Sequence, residues 1–126
     1  MKQEHYPAYT MLTNSALSNA LALECMITSY IDDQRTEYLE SAFSIASDQM
    51  EIVRSIRDLS ATEISLDTIK LSARSLGVYL MLSSLAEITD SDDENELMRE
   101  LPEAILTMIK GLTLTIKTIR CNVCDK

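Results

Sequence analysis

An all-α fold, an up-down-up-down antiparallel four-helix bundle, is what this sequence predicts. Glycine and proline number only two each, too few for the turns that a domain of many short strands needs. Apolar residues recur in alternating steps of three and four over four long stretches, the period of an amphipathic helix. Short polar segments separate the stretches, and short connections make consecutive helices antiparallel neighbours. The 126 residues suit a single domain that can bury a core without disulfides or metals.

The first helix is expected over residues 8–31, with Pro7 at its start, where a missing N–H does no harm. Its inward face carries Leu12, Ala16, Leu23, Met26, Ile27 and Tyr30. The second is expected over residues 35–59. Leu39, Phe43, Ala46, Met50 and Val53 share one side of it, and Glu37, Glu40, Asp48, Glu51 and Asp58 share the other. A capping box, Ser60 with Glu63, opens the third helix, expected over residues 61–89. Asp93 with Glu96 makes a second such box and starts a short extra helical turn over residues 94–100. Pro102 then starts or kinks the last helix, residues 102–122, because it lacks the N–H and crowds the preceding turn. That helix has the clearest seam: Ile105, Ile109, Leu112, Ile116, Ile119 and Val123.

Two helices carry more apolar surface than one bundle needs. On the third, Leu66, Ile69, Ala73, Leu76 and Leu80 read as the core seam. Ile64, Leu71, Val78, Leu82 and Leu85 fall nearly opposite, at about 100° per residue. The first helix is similar, with Leu17, Leu21 and Cys25 on its back. Exposed apolar rows are unfavourable by about 25 cal/mol per Å² relative to burial, and large patches mark interfaces. The expectation is a homo-oligomer, a two-fold dimer first, joined through Leu17, Leu21, Cys25, Ile64, Leu71, Val78, Leu82 and Leu85. Ser72, Ala73, Ser75 and Gly77 are small enough to let another helix come close.

The formal net charge is -9, and no basic stripe interrupts it, which argues against nucleic acid and anionic membrane as partners. No apolar run approaches the ~18 residues of a membrane span, and the first residues, MKQEHYPAYT, lack the apolar centre of a signal peptide. A cytoplasmic location is the expectation. There three cysteines stay reduced, an odd count that does not suit a disulfide framework.

Candidate chemistry is sparse. The one histidine, His5, removes the Glu-x-x-His pairs of di-iron bundles and any histidine-based zinc hydrolase. There is no nucleophile elbow, P-loop or dinucleotide fingerprint, so no catalytic residue is assigned. An EF-hand loop starting at Asp90 needs glycine sixth and glutamate twelfth, but Asn95 and Leu101 stand there. Cys121 and Cys124 have the spacing of half a zinc site, and two copies would complete a shared four-thiolate centre. Incidental thiols at a helix end are the plainer reading, since the negative end of the dipole disfavours a thiolate. Asn19 near the core seam, Glu24 in an otherwise uncharged helix and Arg57 on the line of the second seam are the candidates for ligand binding. The function expected is a non-enzymatic, self-associating interaction or scaffold protein. Its alternative is a small-molecule binder or enzyme with a site between helices or subunits, drawing also on Arg54, Arg74 or the tyrosines. A third reading makes the acidic surface a dock for a basic protein partner.

Overall fold

A computed structural model of the chain describes residues 6–59, 66–90 and 97–124. All but two of these residues, Gln34 and Arg35, are helical: α1 (Tyr6–Asp33), α2 (Thr36–Leu59), α3 (Leu66–Asp90) and α4 (Leu97–Cys124). Each helix packs on two neighbours, α1 on α2 and α4, and α3 on α2 and α4. α1 and α3 therefore stand at opposite corners of a four-helix bundle. Gln49 bonds to Ala16, Phe43 meets Tyr79 and Arg74 bonds to Gly111, each pair near mid-helix. Short connections between consecutive helices favour antiparallel neighbours.

The core is filled by one row from each helix. From α4 it takes Ile105, Ile109, Leu112, Ile116 and Ile119, the seam that the periodicity predicts. From α1 it takes Ala16, Leu23, Ile27 and Tyr30 as expected, and also Tyr9, Thr13 and Ala20. From α2 it takes Leu39, Ala42, Ala46, Gln49, Val53 and Ile56. This row is rotated slightly from the expected one, and Phe43 and Met50 lie half-buried at its edge. Phe43 there stacks against Tyr79 of α3, ring centres 4.9 Å apart. The acids on the far side of α2 (Glu37, Glu40, Asp48, Glu51 and Asp58) are all exposed.

α3 reverses the expectation. Leu71, Val78, Leu82 and Leu85 are at most 2% exposed and belong to the core. Leu66, Ile69, Leu76 and Leu80 are 66%, 54%, 44% and 53% exposed, and Ala73 is exposed with them. Rows nearly opposite on one helix cannot both face the bundle, and the inner one is complete once its polar members are counted. Thr68, Leu71, Ser75, Val78, Leu82 and Leu85 are all buried, in steps of three and four. The outer row continues instead into exposed Ser84 and Glu87, which water must reach. Ile64, the two capping boxes, the acidic run before residue 97 and His5 lie outside the described residues.

The separate turn expected over residues 94–100 is not separate where it is described. α4 runs unbroken from Leu97, with buried Pro102 inside it. At that depth the missing N–H removes just one bond, four residues back, close to a helix start whose first N–H groups have no intrahelical partner anyway. Gly77 also has a packing reason. A Cβ there would come 2.6 Å from Met108 Cε, the movable end of a flexible side chain of α4, which fills the space the glycine leaves. Buried Thr13, Thr113 and Thr115 satisfy their hydroxyls within their own helices, on the carbonyls of Thr10, Ile109 and Gly111.

The α1–α2 connection turns on Gln34, whose φ is 56° and whose N–H donates to Tyr30 O at 2.7 Å. That is a left-handed helix end made by a residue with a side chain, a conformation costing about 1–2 kcal/mol. Gln34→Gly is expected to raise unfolding stability by about 0.5–1 kcal/mol, relief of strain exceeding the added freedom of the unfolded chain. Urea denaturation of the two proteins measures this directly.

Candidate functional site

Among the described residues, the outer row of α3 gathers four of the seven large exposed apolar side chains. Its four large aliphatic side chains stand one turn apart along a single line, with small Ala73 in the middle. Lys70 and Arg74 flank the row in its first half, and Glu87 lies beyond its last turn, all exposed. Arg74 is held toward α4: its Nη1 donates to Thr115 Oγ1 and, at 3.4 Å, to Gly111 O. The guanidinium is thereby drawn off the row and clips α3 to α4. On the α4 side the surface stays uncharged through Ala104, Thr107, Leu114 and Thr118, all exposed. A Cβ on Gly111 would meet nothing, so that stretch of α4 lies open.

The interface residues expected on α3 are thus corrected. Leu71, Val78, Leu82 and Leu85 are inside the protein's own core and are not available to a partner. On α1 the expected back face is on the surface: Leu21 is 49% exposed, Cys25 is exposed and free, and Leu17 is half-buried against the core. A shallow, open depression on that helix is lined by Thr10, Met11, Asn14, Ser18 and Asn19 among others. It draws its walls from one helix, which gives it no depth to enclose a ligand.

The ligand candidates are scattered. Asn19 and Glu24 are half-buried on α1, and Arg57 is exposed in the last turn of α2, where it complements the helix dipole. Arg57 does not continue the core row, as its spacing suggests; Ile56 does. Arg54 is exposed as well. Among the described residues no group of three or more histidines, cysteines or acids could hold a metal ion. Cys121 is free and exposed on α4, and the side chain of Cys124 lies outside the described residues. No helix of the described residues is long and apolar enough to cross a membrane.

The buried amide of this bundle is Gln49, 1% exposed, which the sequence reading passed over. Its Nε2 donates to Ala16 O at 2.8 Å and ties α2 to α1 deep in the core. Its Oε1 has no partner, nor do the buried hydroxyls of Ser72 and Ser75 on α3. The signal was available, because Gln49 continues the steps of three and four between Ala46 and Val53. It was masked by Met50, an apolar neighbour one position on.

The chain matches no known protein family, and no curated protein or solved structure gives a significant match to it. The surface itself is therefore the ground for any functional reading.

Two outcomes are expected of the interior. Gln49→Leu removes one hydrogen bond, to a carbonyl that the helix already engages, and also removes an unpaired buried acceptor; stability should rise by about 1 kcal/mol in urea titration. Tyr30 is buried, and burial pushes its hydroxyl above the usual value of 10.0. Above pH about 10 the unfolded chain loses this proton before the folded one does, so alkali favours unfolding. Stability should therefore fall as pH rises past 10, and Tyr30→Phe should fall less over the same range in parallel urea titrations.

Proposed function

We propose that this chain is a non-enzymatic scaffold that self-associates through the outer row of α3, a second copy of the chain covering it. The observation that carries the reading is that row: Leu66, Ile69, Leu76 and Leu80 exposed together on one line in a helix whose opposite side already fills the core. Full burial of such a side chain stabilises by about 1.5–3 kcal/mol. Each of the four is about half exposed, so a partner recovers about 1 kcal/mol at each. Two copies supply eight such side chains, on the order of 8–10 kcal/mol. Association costs about 4–15 kcal/mol in lost freedom. At the lowest cost the difference is about 4–6 kcal/mol, which corresponds to a weak, reversible dimer with a Kd of tens of micromolar to about 1 mM.

Charge favours the same side. The exposed face of α2 carries Glu37, Glu40, Asp48, Glu51 and Asp58 against Arg54 and Arg57. Exposed charges on α3 and α4 are close to balanced, with Lys70, Arg74, Lys110 and Lys117 against Glu87, Glu100 and Glu103. Two copies of a chain of net charge -9 repel least when they meet there. We place the protein in the reducing cytoplasm, a reading supported by its odd count of three cysteines, which does not suit a disulfide framework.

Sedimentation velocity from about 10 µM to about 1 mM tests the reading. The average mass should climb with concentration from one chain toward two. Leu76→Glu combined with Leu80→Glu should hold it at one chain, with the far-ultraviolet helix signal and Tm retained, because both residues are on the surface. A wild-type mass of one chain throughout, or an unchanged dimer in the double variant, overturns it.

A further inference from the structure

We infer that the two α3 rows pair antiparallel, about a two-fold axis that crosses α3 between Arg74 and Ser75, so that Ala73 faces Leu76 of the partner subunit and Ile69 faces Leu80 of the partner subunit. This rests on the self-association proposed above and adds which residues meet.

The spacing of the row selects its partner. Leu66, Ile69, Ala73, Leu76 and Leu80 step by three, four, three and four without interruption. A row of that period drifts slowly around a straight helix, and it stays in contact over its full length only with another helix wound against it in a left-handed sense. The surface is convex and one helix wide, so it meets a second such ridge rather than a small molecule or a flat sheet.

The order of side chains along the row selects the orientation. In a parallel pair each residue lies level with its own copy. Ala73 then meets Ala73 of the partner subunit, and a gap opens between layers of Ile69 and Leu76. Reversing one helix sets Ala73 against Leu76 of the partner subunit on both sides of the axis, so a large side chain fills each space that a small one leaves. Charge agrees. Exposed Lys70 and Arg74 lie in the first half of the helix and exposed Glu87 near its end. A parallel pair puts Lys70 level with Lys70 of the partner subunit and Glu87 level with Glu87 of the partner subunit. The antiparallel pair separates these like charges, Lys70 from its copy by about 13–14 Å and Glu87 from its copy by about 37 Å along the axis at about 1.5 Å per residue, and the two helix dipoles oppose. Exposed residues of α4 on that flank, Ala104, Thr107, Leu114 and Thr118, are themselves uncharged. Arg74 is already turned away onto Thr115 and Gly111.

Cysteine cross-linking tests the pairing, in full-length protein with Cys25, Cys121 and Cys124 replaced by serine. At 1.5 Å rise per residue, the axis places Ala73 about 4–5 Å along the helix from its own copy, and Leu80 about 16 Å from its own copy. Under mild oxidation Ala73→Cys should therefore link to itself. Leu80→Cys should link to itself at least tenfold more slowly. An equimolar mixture of Ile69→Cys and Leu80→Cys should link as readily as Ala73→Cys, giving the mixed dimer. All these positions are exposed, so folding is retained, and circular dichroism checks it for each variant. Rapid self-linking of Leu80→Cys shows a parallel pair and overturns the inference while leaving self-association standing. A dimer by sedimentation in which none of the three links forms overturns it too and moves the contact to another face. A protein that stays monomeric in the sedimentation experiment removes the self-association itself, and the inference with it.

Discussion

Each helix of this bundle packs mainly on two neighbours, and a helix in that position can dry only one face. The rest of the structure depends on this constraint. α2 and α4 meet it without conflict, because each has one apolar side and one polar side. α3 meets it at a cost, because it has two apolar rows and room for one. Burying Leu71, Val78, Leu82 and Leu85 leaves Leu66, Ile69, Leu76 and Leu80 in water. The exposed row is thus a consequence of the fold, and any partner that covers it completes a burial that four helices cannot.

The interior has a second tension. A core made wholly of aliphatic residues packs well but discriminates poorly between helix registers. Here Gln49 joins α2 to the α1 backbone at Ala16, and Arg74 clips α3 to α4 across Thr115 and Gly111. The first bond is buried and specific, at the cost of an unpaired Oε1. The second is on the surface, where it contributes little energy but keeps a charge off the apolar row. Both bonds join neighbouring helices at fixed levels, as a single polar contact can do in helical assemblies.

Much of the architecture was legible in the residues. The seam of α4 from Ile105 to Ile119 and the wet side of α2 were read correctly because each is one-sided: apolar residues on one side, carboxylates or lysines on the other. The same method failed on α3, where both rows are apolar. The outer row is unbroken by polar residues and looks like the better seam, while the inner row contains Thr68 and Ser75 and looks interrupted. The clue lay at the ends, where the outer row runs into Ser84 and Glu87 and the inner row into Leu82 and Leu85. The candidate surface was legible in kind, since an excess apolar row on α3 was expected, but not in identity. The buried amide at Gln49 was not legible, because Met50 drew the expected α2 row one position aside.

The sequence by itself determined that the chain makes four amphipathic helices, where most of them run and that α3 has one apolar row too many. These are local properties: a helical period, a charge pattern and the scarcity of glycine belong to the chain before it folds. Only the tertiary structure decided which row of α3 is dry, that Gln49 reaches Ala16, that Gly77 admits Met108 and that Pro102 sits inside a continuous helix. Burial is a property of four helices together. A row faces inward when its neighbours leave it the right space, and the periodicity of one helix carries no information about that space.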